Sequence, residues 1–397
     1  MSPDAGTSPA GPLSGVLVAD FSRVLAGPYA TMLLGDLGAT VVKVERPGHG
    51  DDTRAWGPPY AHGQSTYFQA VNRNKHSIAL DLADAGDREM ALALCRRADV
   101  VIENFRPGAT ERLGLGYSDV REINPRTVYC SITGFGRAEG AHLPGYDLLV
   151  QAVGGLMSVT GPDADQPTKV GVALVDVITG LHACIGIQAA LRHRDATGEG
   201  QRVDVDLLSS LLSALTNQTS AYLNAGVVPE AMGNRHPSIA PYEVLHARDR
   251  PLVLAVGNDR QFAALCATLD LPGLARDERF ATNAARVAHR DDLVPALEEA
   301  LARGDAGTWV ERLGARGVPC GLINRVDEAI AFAEQVGLAP TVDLPGSADG
   351  GPSRQVRHPI TFSASPAGYR SGPPPLPDAS SARAVLADLG IDLPDGP

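Results

Sequence analysis

The chain is short of aromatic residues: Phe, Trp and Tyr make up 5% of its 397 positions. Ala, Gly, Val and Leu must then fill most of the core, which favours α/β layers built from small side chains. Positive charge is also scarce. Thirty-four Lys and Arg stand against 46 Asp and Glu, a formal net charge of −12. That sign disfavours nucleic acid as the main partner, because phosphate backbones are held by basic surfaces. It leaves room for one anionic ligand on a local arginine cluster. There are five cysteines, Cys95, Cys130, Cys184, Cys266 and Cys320. Their number is odd and none form CxxC, so they read as buried free thiols in a reducing compartment. No run of ~18 apolar residues occurs, so no membrane span is expected. The opening MSPDAGTSPAGP lacks the basic and apolar regions of a signal peptide. The expectation is a cytoplasmic protein.

Several motifs are missing as well. The first strand–helix turn, FSRVLAGPYA, has no GxGxxG, and the glycines of GFGRAEG (134–140) are wrongly spaced for one. A site for NAD or FAD is therefore not expected. GxxxxGK[ST], GxSxG, HExxH and clustered Cys/His ligands are absent, which excludes the usual P-loop ATPase, serine hydrolase and zinc enzyme; no metal is expected.

What is present is an alternation of strands and helices. Hydrophobic residues make up 44% and charged residues 20%, enough for a sizeable core. GVLVAD (15–20) predicts a strand, GPYATMLLGDLG (27–38) a helix and TVVKVE (40–45) a second strand. DVVIEN (99–104) and TVYCSI (127–132) are further apolar runs, each after a helical stretch, and GQRVDVDLL predicts another strand. LLSSLLSALTNQTSAYLNAG reads as one helix. The pattern predicts an α/β fold, with a Rossmann-like parallel sheet covered on both faces. Near residue 225 the character changes. VVPEAMGNRHPSIAPY is a Pro/Gly-rich loop, followed by PLVLAVG, DRQFAALCATLD, TWVERLGARG and VPCGLI, a smaller α+β unit. The expected organisation is a disordered lead (1–12), a large domain (13–205), a long linker (206–235), a small domain (236–325) and a C-terminal segment (326–397). Within it, 340–380 is rich in Pro, Gly and Ser and reads as mostly irregular, SSARAVLADLG (380–390) predicts a short closing helix, and the segment returns to the large domain.

One acid interrupts an apolar run. GVALVDVITG (171–180) is apolar or small except for Asp176. An ionised carboxylate is costly to bury unless something holds it. As a helix N-cap, Asp176 would accept hydrogen bonds from the first free N–H groups of the following helix, worth ~1 kcal/mol. As a nucleophile it would attack a carbonyl, its anion favoured by the same helix N-terminus. Composition and periodicity fit both readings. The helix itself, VITGLHACIGIQAALRHR, is apolar nearly all round, which predicts burial.

Six segments in order carry a resemblance: LAGPYATMLLGDLGATVVKVERPGHGDDTR, NRNKHSIALDL, ADVVIENFRPGATERLGLGY, PGYDLLVQA, ALVDVITGLHACIGIQAAL and GVPCG. With these the chain resembles the class III CoA-transferase family, which includes formyl-CoA transferase and carnitine CoA-transferase. GNRHPSIAPY, VGNDRQF and TNAARVAHR look most like the succinate–hydroxymethylglutarate CoA-transferase branch. The resemblance implies acyl-CoA and small carboxylic acids as substrates, with succinyl-CoA a candidate donor, and an interlocked homodimer. It implies that Asp176 is the nucleophile of covalent catalysis. It also implies that Leu25, Ala26, Arg46, Leu80, Asn104, Phe105, Arg106 and Arg112 contact CoA. Arg46, Arg106 and Arg112 fall at or just beyond predicted strand ends, where α/β folds bind ligands. Taken singly, each would read as a solvated charge. Tyr146, Arg235 and His236 are candidate substrate contacts. Arg235 could pair with an acceptor carboxylate or form a loop salt bridge; His236 could be an acid–base or carboxylate-binding group, with a structural histidine bonded in the loop as the favoured reading.

Two segments depart from the resemblance. Many members carry a basic residue just before PGYD; here Leu143 and Pro144 stand there. The common LGEHT near the C-terminus is LPDAS (376–380). The same fold hosts α-methylacyl-CoA racemases, which need an acid–base pair, usually His and Asp. Their histidine position is Tyr146 here, so that reading loses its base. A CoA-binding protein without turnover is a third reading, against which Asp176 stands.

Overall fold

The computed structural model describes residues 11–345, 353–378 and 380–393. Of the lead expected over 1–12, only Gly11 and Pro12 are among the described residues. The chain divides into two compact units: Met1–Leu156, Val170–Val227 and Ala339–Pro397 form the larger, Met157–Lys169 and Val228–Leu338 the smaller.

The larger unit is built on six strands: β1 (Leu17–Asp20), β2 (Thr40–Glu45), β3 (Lys75–Ala79), β4 (Val100–Glu103), β5 (Val128–Thr133) and β6 (Arg202–Asp206). All neighbours are parallel, and the spatial order is β3-β2-β1-β4-β5-β6. This is the doubly wound order, in which a ligand crevice opens where the connections from β1 and β4 diverge. The chain thus has the topology of the dinucleotide-binding fold without its glycine fingerprint. The central strands are near-continuous apolar runs because both faces are covered. Val18, Val41 and Val100 pack on one face; Ala19, Val42 and Val101 pack on the other.

Its main helices are α1 (Ala26–Asp36), α2 (Ala85–Arg97), α3 (Tyr117–Ile123), α4 (Asp147–Val153), α5 (Leu174–Thr197), α6 (Leu207–Ala214) and α7 (Thr216–Ala225). α1, α4, α5 and α6 cover the first face; α2, α3 and a C-terminal helix, Ser381–Asp388, cover the second.

Four expectations change here. First, α5 begins at Leu174, so its N-cap is Ala173 and Asp176 is its third residue. Second, α5 is not buried all round: Val175, Ala183, Ile187 and Leu191 face the core, while Leu181 and Ile185 are exposed. Among the described residues it is the one helix long and apolar enough to cross a membrane, but its packed side makes it a core helix of this sheet. Third, the single helix predicted after β6 is two, broken where Thr216 takes a positive φ of 39°. The segment expected to be mostly irregular also contains a two-stranded hairpin, Thr341–Leu344 with Ser353–Val356.

The smaller unit has three antiparallel strands, β7 (Tyr242–His246), β8 (Pro251–Ala255) and β9 (Cys320–Leu322), in the order β9-β8-β7. β7 escapes sequence reading because an acid takes an inward slot: Glu243 and Leu245 are its buried residues. Helices Asp259–Thr268, Arg290–Leu301 and Ala306–Gly314 close the core with Leu265, Leu293, Leu297 and Leu313. All five cysteines are free; four are buried and Cys320 is partly exposed.

Candidate active site

Asp176 enters the site from the first turn of α5. The N–H groups of Val175 and Asp176 donate to Asp147 Oδ1 at 2.8 and 3.3 Å. Asp147, the first residue of α4, therefore caps α5 from a neighbouring element. Its other oxygen accepts from Gln151 Nε2 at 2.6 Å, and Gln151 Oε1 accepts the Val170 N–H at 2.9 Å. The capping role open to Asp176 is taken by Asp147. Burial, and then the like charge of Asp147, pushes the Asp176 pKa up to about 7. The expected bias of the helix N-terminus towards the anion is outweighed. Tyr67 shares this neighbourhood: burial, then the charges of Asp176, Asp147 and Asp51, raise its phenol. Its ring meets Trp56 edge-on at 5.3 Å.

One turn further along α5, a Cβ on Gly180 would stand 2.6 Å from the Ala26 carbonyl oxygen. Glycine lets α5 lie against the start of α1, which couples Asp176 to the β1–α1 turn. A second close approach seats the Tyr146 loop: a Cβ on Gly134 would lie 2.4 Å from the Gly145 Cα.

A cavity of about 420 Å³ opens before Asp176, at the carboxyl ends of β1, β4 and β5. A second, of about 340 Å³, lies at the ends of β1, β2 and β3. Arg23 and Phe105 line both, so the two adjoin at the crevice between β1 and β4. Val24, in the wall of the first, has φ of 70°, a left-handed conformation rare for a β-branched residue. Its N–H lies 3.3 and 3.2 Å from the two oxygens of Asp51. Asn104 grips Arg23 at both ends: Oδ1 accepts the Arg23 N–H and Nδ2 donates to the Arg23 carbonyl, each at 2.8 Å.

Beneath this turn lies a buried ionic network. Asp20, with no solvent exposure, accepts from Ser22 N–H (2.9 Å), Thr31 Oγ1 (2.6 Å) and Lys75 Nζ (3.2 Å). Lys43 Nζ donates to the Ser22 carbonyl at 2.8 Å and pairs with Asp51 at 2.9 Å. Burial alone would raise the Asp20 pKa. Lys75, Lys43 and the hydroxyls of Ser22 and Thr31 reverse that and hold it below the ordinary value. Asp51, likewise, is lowered to about 2: the Lys43 charge and bond, with Thr53, outweigh burial.

A family model described as CoA-transferase family III matches residues 13–379. The chain belongs to CoA-transferase family III. The succinate–glutarate CoA-transferase of Agrobacterium fabrum is 43% identical over 385 residues, 95% of this chain and 96% of that one. The acetyl-CoA:oxalate CoA-transferase of Acetobacter aceti is 46% identical over 323 residues, 81% and 83% of the two chains. A CAIB/BAIF family protein from Brucella suis has a crystal structure with TM-score 0.85 and 42% identity, covering 96% of this chain and 100% of that one. This transferase is thus an enzyme that uses acyl-CoA.

In this transferase, Leu25, Ala26, Asn104, Phe105, Arg106, Tyr146 and Asp176 line the first cavity, and Arg46 and Leu80 line the second. Arg112 is exposed and lines neither. Arg46 and Arg23 share Asp52, at 3.4 and 3.1 Å. Leu143 and Pro144 line the first cavity. In LPDAS, Asp378 accepts from the Ser380 N–H at 2.8 Å; Ala379 lies outside the described residues. Arg235 and His236 belong to the smaller unit. Arg235 pairs with Asp291 at 3.5 Å and Glu243 at 3.8 Å. His236 Nδ1 accepts the Ser238 N–H at 3.1 Å, and its ring meets Tyr242 edge-on at 5.2 Å. Sequence reasoning passed over Arg23, Val24, Tyr67 and Asp147. Only Asp147 had a signal, an acid opening the helix after PGY.

Proposed function

We propose that this transferase moves CoA from a dicarboxylic acyl-CoA, such as succinyl-CoA, to a second dicarboxylic acid through covalent intermediates on Asp176. The observation that carries the reading is a carboxyl group without hydrogen-bonded partners among the described residues, with its pKa near 7, facing a cavity that adjoins the one at the arginine-bearing sheet edge. A carboxylate of that basicity is a stronger nucleophile than an ordinary one and is still about half ionised at neutral pH. The dicarboxylic class rests on the names of the relatives, which act on succinate, glutarate and oxalate.

The reaction would run in four steps. The Asp176 carboxylate attacks the thioester carbonyl, the C–S bond breaks, and a mixed anhydride and CoA thiolate form. The thiolate attacks the aspartyl carbonyl and expels the donor acid as its carboxylate, leaving aspartyl-CoA. The acceptor carboxylate attacks that thioester, giving a second anhydride and free thiolate. The thiolate then takes the acceptor acyl group and returns Asp176 to its starting form. Both anhydrides are high in energy, so binding of the remote CoA nucleotide must hold the reacting centre, and dry walls must protect it from hydrolysis. The second cavity, with Arg46 and Leu80, suits the nucleotide end, and Arg23 and Phe105 line the passage between the two ends.

The same reading includes a homodimer. Exposed Leu181, Ile185, Leu212 and Leu223 on the larger unit support it. The acidic net charge supports small anions, not nucleic acid, as ligands. The deciding experiment is mass spectrometry of the enzyme mixed with succinyl-CoA. An adduct on the peptide carrying Asp176, removed by hydroxylamine, is expected. Full transfer by Asp176→Ala would sink the mechanism.

A further inference from the structure

The left-handed residue at the cavity wall needs an explanation. Val24 is β-branched, so nothing in its own chemistry favours a φ of 70°. Strain of this kind persists only where the surroundings over-determine it. Here two side chains from separate strand ends do so. Asp51, which follows β2, meets the Val24 N–H with both oxygens. Asn104, which follows β4, spends its amide on the preceding peptide groups, taking the Arg23 N–H and giving to the Arg23 carbonyl. Asp51 is itself locked by fully buried Lys43 at 2.9 Å and by Thr53 Oγ1 at 2.7 Å. The turn so fixed runs directly into Leu25 and Ala26. Ala26 touches α5 at Gly180, one turn from Asp176.

We propose that Asp51 and Asn104 are positioning residues that hold Val24 in its left-handed conformation and so set the Leu25–Ala26 wall against Asp176. Asn104 on this view acts through Arg23 and Val24, in contrast to the CoA contact that the family resemblance implies. The inference rests on Asp176 being the reacting group. A misplacement of about 1 Å at such a wall costs about a hundredfold in rate.

The test is a double-mutant cycle in the full-length enzyme with Asn104→Ala and Val24→Gly, read as kcat and KM separately, with thermal unfolding as the fold control. Glycine adopts positive φ without side-chain strain, so it relieves the need for the grip. Asn104→Ala is expected to lower kcat by about ten- to a hundredfold in the otherwise wild-type enzyme and by a much smaller factor in the Val24→Gly background, with KM for acyl-CoA little changed. Asp51→Ala, which removes the acceptor of the Val24 N–H, should behave as Asn104→Ala does, with thermal unfolding as its control. Equal losses in both backgrounds overturn the proposal. So does a loss confined to KM for acyl-CoA, which would make Asn104 a ligand contact. If Asn104→Ala does not fold, the cycle is run with Asn104→Asp, which keeps the acceptor and loses the donor. Failure of the nucleophile assignment is read separately, as transfer by Asp176→Ala, and leaves the measured coupling intact.

Discussion

Asp20 and Asp176 both stand at the carboxyl edge of one sheet layer, and they are handled in opposite ways. Asp20 is wrapped by Lys75, Ser22 and Thr31 and is held as an anion below its ordinary pKa. Asp176 has no such partners among the described residues, faces a cavity, and is pushed up to about 7 by burial and by Asp147. The first carboxylate is saturated and the second is unspent. The difference teaches which acid builds the fold and which is left for chemistry: pairs of acids whose environments drive their pKa values apart mark separate tasks.

Removing each acid should break the comparison in different observables. Asp176→Ala is expected to lower CoA transfer by about a thousandfold or more, in a steady-state assay, without loss of folded protein. Asp20→Ala should do the reverse in kind. It strands buried Lys75 without its counter-charge, while Lys43 keeps Asp51, and is expected to cost about 3–5 kcal/mol in denaturant unfolding. If Asp20→Ala folds normally and merely slows transfer, the division of roles is wrong.

Smaller changes sharpen the contrast. Asp147→Asn keeps an acceptor for the Val175 and Asp176 N–H groups but removes the like charge. The midpoint of the pH–rate profile for the first half-reaction should move to lower pH, and only part of the way, since burial is the larger cause of the shift. An unmoved midpoint would show that Asp147 acts through the cap alone. The smallest effect concerns stability. The folded enzyme holds a proton on Asp176 up to about pH 7, whereas the unfolded chain releases it near 3.8. Between those values the native state binds more protons, so this group's contribution to stability falls as pH rises and levels off above about 7. Asp176→Asn should match the wild type near pH 4 and melt a few degrees higher at pH 8. Identical melting curves at both pH values would count against the raised pKa.

Much of the sheet was legible because parallel strands announce themselves as apolar runs ending at glycine and polar loops. TVVKVE and TVYCSI fall almost where β2 and β5 do. β7 was hidden by the inward Glu243, which breaks the hydrophobic alternation. Within the site, Asp176 was legible as an anomaly, but its role as a cap was not decidable locally. The true cap, Asp147, lies 28 residues from the Val175 N–H that it accepts, and only folding brings them together. Nor does any local rule put a valine at positive φ. On the proposal above that conformation is held by Asp51 and Asn104 from the loops after two other strands, so its cause is tertiary.

The start of α1 carries one last consequence. Pro28 has no N–H and the Tyr29 N–H is spent on the Leu25 carbonyl at 2.7 Å, so the helix that seats phosphates in many doubly wound folds has few amides to offer. On the reading proposed above, the nucleotide must lean on Arg23 and Arg46, whose side chains are 42% and 58% exposed. Attraction between exposed charges is screened by dissolved ions. Affinity for CoA should therefore decline steadily with ionic strength in titration calorimetry, which gives the grip on its largest substrate a sensitivity to the medium that a backbone cradle would not have.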